Sequence, residues 1–450
     1  QTFFANFAIQ SNKAMNIKTL YICIAILMMA ISAHAQDVET IFDEDTVAVD
    51  SALIDSIAHD SIAAKTIELP WPQSLVATLD DLVKSDISQT SQIGLMVYDL
   101  DADSAIYCHN ELQTMRPAST MKVITAIAAL DKLGGSYQFK TDLCYTGEIK
   151  GHVLHGNIYC VGGFDPKFNV DDLNAFVEGV RRMGIDTIMG NIYADKSMKD
   201  TARLGEGWCW DDDNPCLSPL LIGRKDNFID RFAQKLVDEG VVIIDKDSVN
   251  CAFRFMNTHG NFVRRKPQGT YSITSRFHTI EQVMMKMLKE SDNLYAESMF
   301  YQLAASTGAR PATAKNARAI INNLITKIGL NPKRYNIADG SGLSLYNYVS
   351  PMLEVMFLRY AYRNENIYPH LLHALPIAGF DGTLKSRMKR TDAFENVRAK
   401  TGTVTCVSSL AGYCTAQNGH RLCFSIINQG VIHSSNARHF QDRVCNAMCQ

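Results

Sequence analysis

The sequence has no basic excess: 44 Lys and Arg stand against 47 Asp and Glu in 450 residues, a formal net charge of −3. With no Lys/Arg cluster to track a phosphate backbone, nucleic-acid binding drops out. GxSxG, HExxH, GxxxxGK(S/T) and GxGxxG are also missing, which removes the hydrolase elbow, the zincin helix, the P-loop and the dinucleotide fold. None of the twelve His residues has metal-ligand spacing, and no CxxC is paired with His as in a zinc site. No metal or cofactor is therefore expected. Twelve Cys in so long a chain are too sparse for a small disulfide scaffold. What is present, 46% hydrophobic and 20% charged residues, describes a globular protein with one large core or two modest ones.

Residues 1–14 carry no usable pattern. From Met15, Lys18 provides a positive start, Leu20 to Ile31 an apolar stretch, and Ala33-His34-Ala35 a small-residue cleavage signature before Gln36. Such an arrangement predicts a secretory signal peptide from Met15 to Ala35, with 1–14 upstream of it, since the stretch falls short of the roughly 20 apolar residues a membrane span needs. Cleavage would leave a protein with no transmembrane anchor, in the periplasm or cell envelope. It would also leave eleven cysteines, an odd number, with Cys209 and Cys216 close enough for a local bridge and the others best read as mostly buried thiols. Residues 36–70, nine acidic against one Lys, predict an acidic linker.

Beyond Trp71 helical and strand patterns mix. Ile93–Asp99 alternates, and Asp101-Ala102-Asp103-Ser104 predicts a hairpin turn. A nearly all-apolar helix, expected in the core, runs from about Thr120 to Leu133 and stops at Gly134-Gly135. Residues 136–270, rich in short strand candidates and turns, suggest an inserted β-rich unit. Helical periodicity returns after Ile280, after Pro311 and after Ser350-Pro351. Strand runs at Thr403–Cys414 and Arg421–Asn428 precede a final amphipathic helix on Ala437, Phe440, Val444 and Met448. The division expected is 71–135 plus 271–450 as a catalytic domain and 136–270 as the insertion.

The chemistry-bearing residues fall into three groups. Ser119-Thr120-Met121-Lys122 opens the apolar helix, where a spacing of three sets the Lys amine one turn beyond the Ser hydroxyl on the same face. The helix N-terminus adds partial positive charge, and a desolvated Lys can act as the base that activates Ser. Ser-x-x-Lys alone is weak, because one or two chance matches are expected in about 450 residues; Ser386-Arg387-Met388-Lys389 is such a match in a polar stretch. Ser291-Asp292-Asn293 falls at a break between two helices, where a short loop can aim a hydroxyl and an amide into a cleft. Lys400-Thr401-Gly402 begins a strand run and offers a cation and a hydroxyl to a carboxylate, with Gly402 allowing close backbone approach. The Thr403 N–H could join that of Ser119 as an oxyanion hole.

The three motifs in this order resemble those of the low-molecular-mass class C penicillin-binding proteins, D-alanyl-D-alanine carboxypeptidases/endopeptidases of the penicillin-binding protein 4 type. Further stretches carry the likeness: Gly162-Gly163-Phe164-Asp165-Pro166, Trp208-Cys209-Trp210-Asp211-Asp212, Asp339-Gly340-Ser341-Gly342-Leu343-Ser344, Gly379-Phe380-Asp381-Gly382-Thr383-Leu384 and Leu410-Ala411-Gly412-Tyr413. The resemblance implies an α+β fold: a β-lactamase/penicillin-binding-protein-like domain, its antiparallel sheet flanked by helices, with the β-rich material inserted between the first and second motifs. It further implies that Ser119 is acylated by a peptidoglycan stem peptide, with Lys122 as base. Ser291 would relay a proton to the leaving amine, Asn293 would bind the substrate amide, and Lys400 and Thr401 would hold the terminal carboxylate. Peptidoglycan cross-links would be substrates as well, and β-lactams would be trapped on Ser119. Cys209, Cys216 and Leu345 depart from the family pattern without removing a catalytic group. The competing readings are a β-lactamase, disfavoured by length and insertion, and a non-catalytic cell-wall-binding protein of the same fold. Asp339 and Asp381, each beside Gly, are expected to be turn residues.

Overall fold

The alternation at Ile93–Asp99 becomes a strand, Gln92–Asp99, in a five-stranded antiparallel sheet within a computed structural model that describes residues 69–244 and 265–450. The predicted signal peptide and most of the acidic linker lie outside the described residues, which all belong to a unit spanning Glu68–Gln450. In spatial order the sheet runs Arg398–Val404, Val407–Thr415, Arg421–Gln429, Gln92–Asp99 and Ser104–His109. Side chains alternate between its faces. Met96 and Tyr98 therefore join one core with helices Met121–Leu133, Asn293–Ala305 and Pro351–Tyr362. Ile93, Leu95 and Val97 join another, under helices Gln73–Val83 and Ser434–Cys449. With both faces covered, seven of the eight residues of Gln92–Asp99 are buried.

Helix Met121–Leu133 is buried at every position from Met121 to Leu130, as its all-round apolar character predicts. Gly134, at φ 83°, ends it, its N–H donating to the Leu130 carbonyl. The final helix buries Ala437, Phe440, Val444 and Met448.

Two expectations need correction and a third gains detail. The run Thr403–Cys414 is two strands, because the chain reverses at Thr405-Cys406, with Cys406 at φ 60°; Lys400-Thr401-Gly402 lies inside an edge strand and not at a strand start. The segment after Ser136 is β-rich as expected, and it also carries helices. Its two four-stranded sheets contain parallel pairs and pack against helices Val170–Arg182 and Phe228–Asp238, which bury Phe176, Val180, Phe228 and Phe232. Finally, a strand at Tyr271–Thr279 pairs with Gln138–Tyr145, so residues 271–279, expected in the returning domain, lie in a sheet with strands of the 136–270 segment.

All ten described cysteines are free thiols, Cys209 and Cys216 among them, and six are buried.

Candidate active site

Ser119 lies in a 3₁₀ turn, Ala118–Thr120, that runs directly into the buried helix. The turn is held by its neighbours: the Pro117 carbonyl accepts from the Thr120 hydroxyl at 2.8 Å and from the Ser409 hydroxyl of the adjacent strand. Gly342, at φ 82°, packs so closely on the Ala118 carbonyl that a Cβ there would collide with it. Ser119 is half-buried, whereas Lys122, one turn on, is wholly buried.

The Lys122 Nζ reaches three oxygens: Ser119 Oγ at 2.8 Å, Asn293 Oδ1 at 2.7 Å and the Ser341 carbonyl at 2.8 Å. An ammonium fills all three with its three protons. A neutral amine keeps the latter two donations and turns its lone pair to the Ser119 hydroxyl, which then donates to it. Burial pulls the Lys122 pKa down from 10.5 to about 8, against the opposing pull of Asp339, Glu297 and Asp292.

Ser291 and Asn293 reach the cleft because the chain turns sharply between helices Ile280–Lys289 and Asn293–Ala305. Ser291 adopts φ 62°, and Asp292 caps the second helix, accepting from Leu294 N at 3.0 Å and Tyr295 N at 3.4 Å. Arg224, from the inserted segment, pairs with the other Asp292 oxygen.

Lys400, also wholly buried, donates to Ser291 Oγ at 2.9 Å and to the Thr401 carbonyl at 2.6 Å. Burial, reinforced by repulsion from Lys122, holds its pKa well below 10.5. Thr401 is half-buried and donates its hydroxyl to Thr383 Oγ1 at 2.8 Å. A Cβ on Gly402 would sit 2.8 Å from the Pro117 carbonyl and 2.9 Å from Ser119 N, so only glycine lets this strand approach the nucleophile. Ala399 donates its N–H off the outer edge of the same strand, to the Pro376 carbonyl at 3.0 Å. Backbone groups alternate along a strand, so the Thr403 N–H, four residues on, points off that edge too.

All eight residues singled out in the sequence therefore gather at one cleft: Ser119, Lys122, Ser291, Asn293, Lys400, Thr401, Gly402 and Thr403. Sequence reasoning missed Glu297, Ser341 and Thr383. Glu297 is four residues beyond Asn293, hence on the same helical face, and that spacing was its only signal. Asp339 is an organiser: it accepts from Gly342 N at 2.8 Å, Ser344 N at 2.7 Å, Asn347 Nδ2 at 2.6 Å and Trp208 Nε1 at 2.8 Å. Asp381 accepts from Lys289 Nζ at 2.6 Å and Ile377 N at 2.8 Å. No His, Cys, Asp and Glu cluster fit for a metal occurs among the described residues.

A helix-opening serine beside a buried lysine, facing a second serine–lysine pair across an antiparallel sheet edge, defines a serine acyl-transfer enzyme of the β-lactamase/penicillin-binding-protein fold. The chain belongs to the D-Ala-D-Ala carboxypeptidase 3 (S13) family, whose profile matches residues 75–224 and 266–448. It is 27% identical to the D-alanyl-D-alanine carboxypeptidase DacB of Haemophilus influenzae over 77% of this chain and 88% of that protein. With the D-alanyl-D-alanine carboxypeptidase of Actinomadura sp. it shares 25% identity over 80% and 81% of the two chains. Penicillin-binding protein 4 from Haemophilus influenzae has the same fold, with a TM-score of 0.72 and 22% identity over 83% of this chain and 99% of that one. A complex of that protein with a β-lactam aligns with a TM-score of 0.66 at 24% identity, covering 82% and 98% of the two chains.

Proposed function

We propose that this protein is a serine-type D-Ala-D-Ala carboxypeptidase/endopeptidase that cleaves peptidoglycan stem peptides and cross-links through an acyl-enzyme on Ser119. The observation that carries the reading is the Lys122 amine, buried and 2.8 Å from Ser119 Oγ. Neutral Lys122 takes the Ser119 proton as Oγ attacks the penultimate D-Ala carbonyl. The Ser119 and Thr403 N–H groups receive the developing oxyanion. The C–N bond then breaks, and the leaving amine takes a proton through Ser291, which Lys400 holds in place. Asn293 orients the substrate amide. The Thr401 hydroxyl, with the Lys400 amine behind it, receives the terminal carboxylate. Water hydrolyses the Ser119 ester, returning the serine proton. A β-lactam follows the first step, but its cleaved amide stays tethered in the cleft and blocks water.

Export fits this substrate, and the signal at 15–35 would deliver the protein to the periplasm or cell envelope; among the described residues no helix is long and apolar enough to cross a membrane. Residues 71–135 and 280–450 form the catalytic domain in this reading, and the material between them the insertion. The assay is mass analysis of products from a stem pentapeptide and a cross-linked muropeptide dimer, with wild type and Ser119→Ala. Release of D-Ala or monomer by wild type alone supports the reading, and equal activity in the variant refutes it.

A further inference from the structure

Glu297 is a wholly buried carboxyl next to the lysine base that no step above uses. It projects from helix Asn293–Ala305, one turn beyond Asn293, toward the segment Asp339–Gly342. Its Oε1 accepts two consecutive backbone N–H groups, from Gly340 at 3.1 Å and from Ser341 at 2.8 Å. The carbonyl of that same Ser341 accepts from Lys122 Nζ at 2.8 Å. The next carbonyl back, that of Gly340, accepts from the Thr125 hydroxyl at 2.7 Å, on the helix that carries Lys122. The segment is therefore clamped from both sides, with one face held by Glu297 and the other presented to Lys122.

We infer that Glu297 is a positioning residue for the reaction: by gripping the Gly340 and Ser341 amides it fixes the Ser341 carbonyl against Lys122 and thereby aims the amine at Ser119. A buried peptide needs its N–H groups satisfied, and no backbone partner is available to these two, because the segment belongs to no strand. A single side-chain oxygen with two lone pairs can serve both, and Oε1 does. The role needs an oxygen at the end of a four-bond arm and no negative charge. Burial and the neighbouring Asp339 push the Glu297 carboxyl up to about 8, so near neutrality it carries a proton and still offers Oε1. The other titratable or charged groups around the pair are Asp339 on the gripped segment, Asp292 at the helix start, Lys400 across the cleft, and Lys199 and Tyr301 beyond Glu297.

The inference rests on Lys122 being the base, and the two can be separated. Wild type, Glu297→Gln, Glu297→Asp, Glu297→Ala and Lys122→Met are titrated with a fluorescent penicillin to count competent sites. Acylation rate per competent site is then measured from pH 5.5 to 9.5. Glu297→Gln, which keeps the oxygen at the same reach, is expected to stay within about threefold of wild type on the high-pH plateau, where Lys122 is neutral in both. Glu297→Ala and Glu297→Asp, which lose or retract it, are expected to be slower by about tenfold or more, as for a small misplacement of a reacting group. Their acid limb should move below pH 8, because an ammonium with one acceptor fewer is less stable. If Glu297→Ala leaves too few competent sites, Glu297→Asp carries the test. Wild-type rate and midpoint per site in Glu297→Asp or Glu297→Ala, or equal damage from Glu297→Gln, overturns the inference. If these variants are silent while Lys122→Met is inactive, the base assignment stands without it.

Discussion

The charge on Lys122 makes a quantitative demand on the pH dependence of acylation. Only the neutral amine can take the Ser119 proton, and with its pKa drawn to about 8 by burial, about one-tenth of the molecules hold it neutral at pH 7. The second-order rate constant for acylation by a fluorescent penicillin, followed by stopped flow, should fall about ninefold from pH 7 to pH 6 and rise about tenfold from pH 7 to pH 9. The same shift has a stability consequence. An unfolded lysine titrates near 10.5, so below pH 8 both states are protonated and the folded state bears the whole cost of the buried charge, about 3 kcal/mol. That cost is relieved as pH rises from 8 to 10.5, where the unfolded chain binds the extra proton. Lys122→Met should accordingly slow acylation by about 10²-fold or more while gaining up to about 3 kcal/mol of stability at pH 7. A rate constant flat between pH 6 and 8, or a Lys122→Met variant within a factor of about ten of wild type, refutes the reasoning.

Other perturbations follow from the same geometry. Gly402→Ala puts a methyl group against Ser119 N and the Pro117 carbonyl and should cut acylation by about 10²-fold with little change in the unfolding midpoint, since an edge strand can shift outward. Asp292→Ala removes a helix cap and should lose about 1 kcal/mol in denaturant titration and slow acylation; Arg224→Ala, deleting only a half-exposed partner, should lose less than about 1 kcal/mol. Glu354, wholly buried and accepting from the Ser425 hydroxyl at 2.6 Å, is raised by burial from 4.5 to about 7. The unfolded state ionises first there, so stability falls as pH rises from 4.5 to 7. Glu354→Gln should then stabilise by up to about 3 kcal/mol at pH 8 and by little at pH 5, read as thermal midpoints at the two values.

What the sequence made legible was whatever a local pattern records. The apolar run after Thr120 could only be a core helix, and the alternation at Ile93 could only be a strand with one side chain in every two facing each core. The order of Ser119, Ser291 and Lys400 along the chain specified the cleft because each motif sits at an element boundary or sheet edge that its own residues create. The reversal at Thr405-Cys406 was hidden because neither residue is glycine, proline or asparagine, so the turn leaves no compositional mark. Helices Val170–Arg182 and Phe228–Asp238 were masked by the short strands and turns around them, although the first is opened by an Asn169 capping box. The Ser341 carbonyl was invisible for a deeper reason: a backbone atom has no residue type, and its role exists only once Glu297 and Lys122 are brought to opposite sides of it.

The mechanism places the acyl group on Ser119. Peptide mapping by mass spectrometry after incubation with benzylpenicillin tests it most directly, because the chain holds a second Ser-x-x-Lys at Ser386. One adduct is expected, with the mass of the intact drug, on the peptide containing Ser119, and none in Ser119→Ala. An adduct on Ser386, or labelling that survives Ser119→Ala, would contradict it.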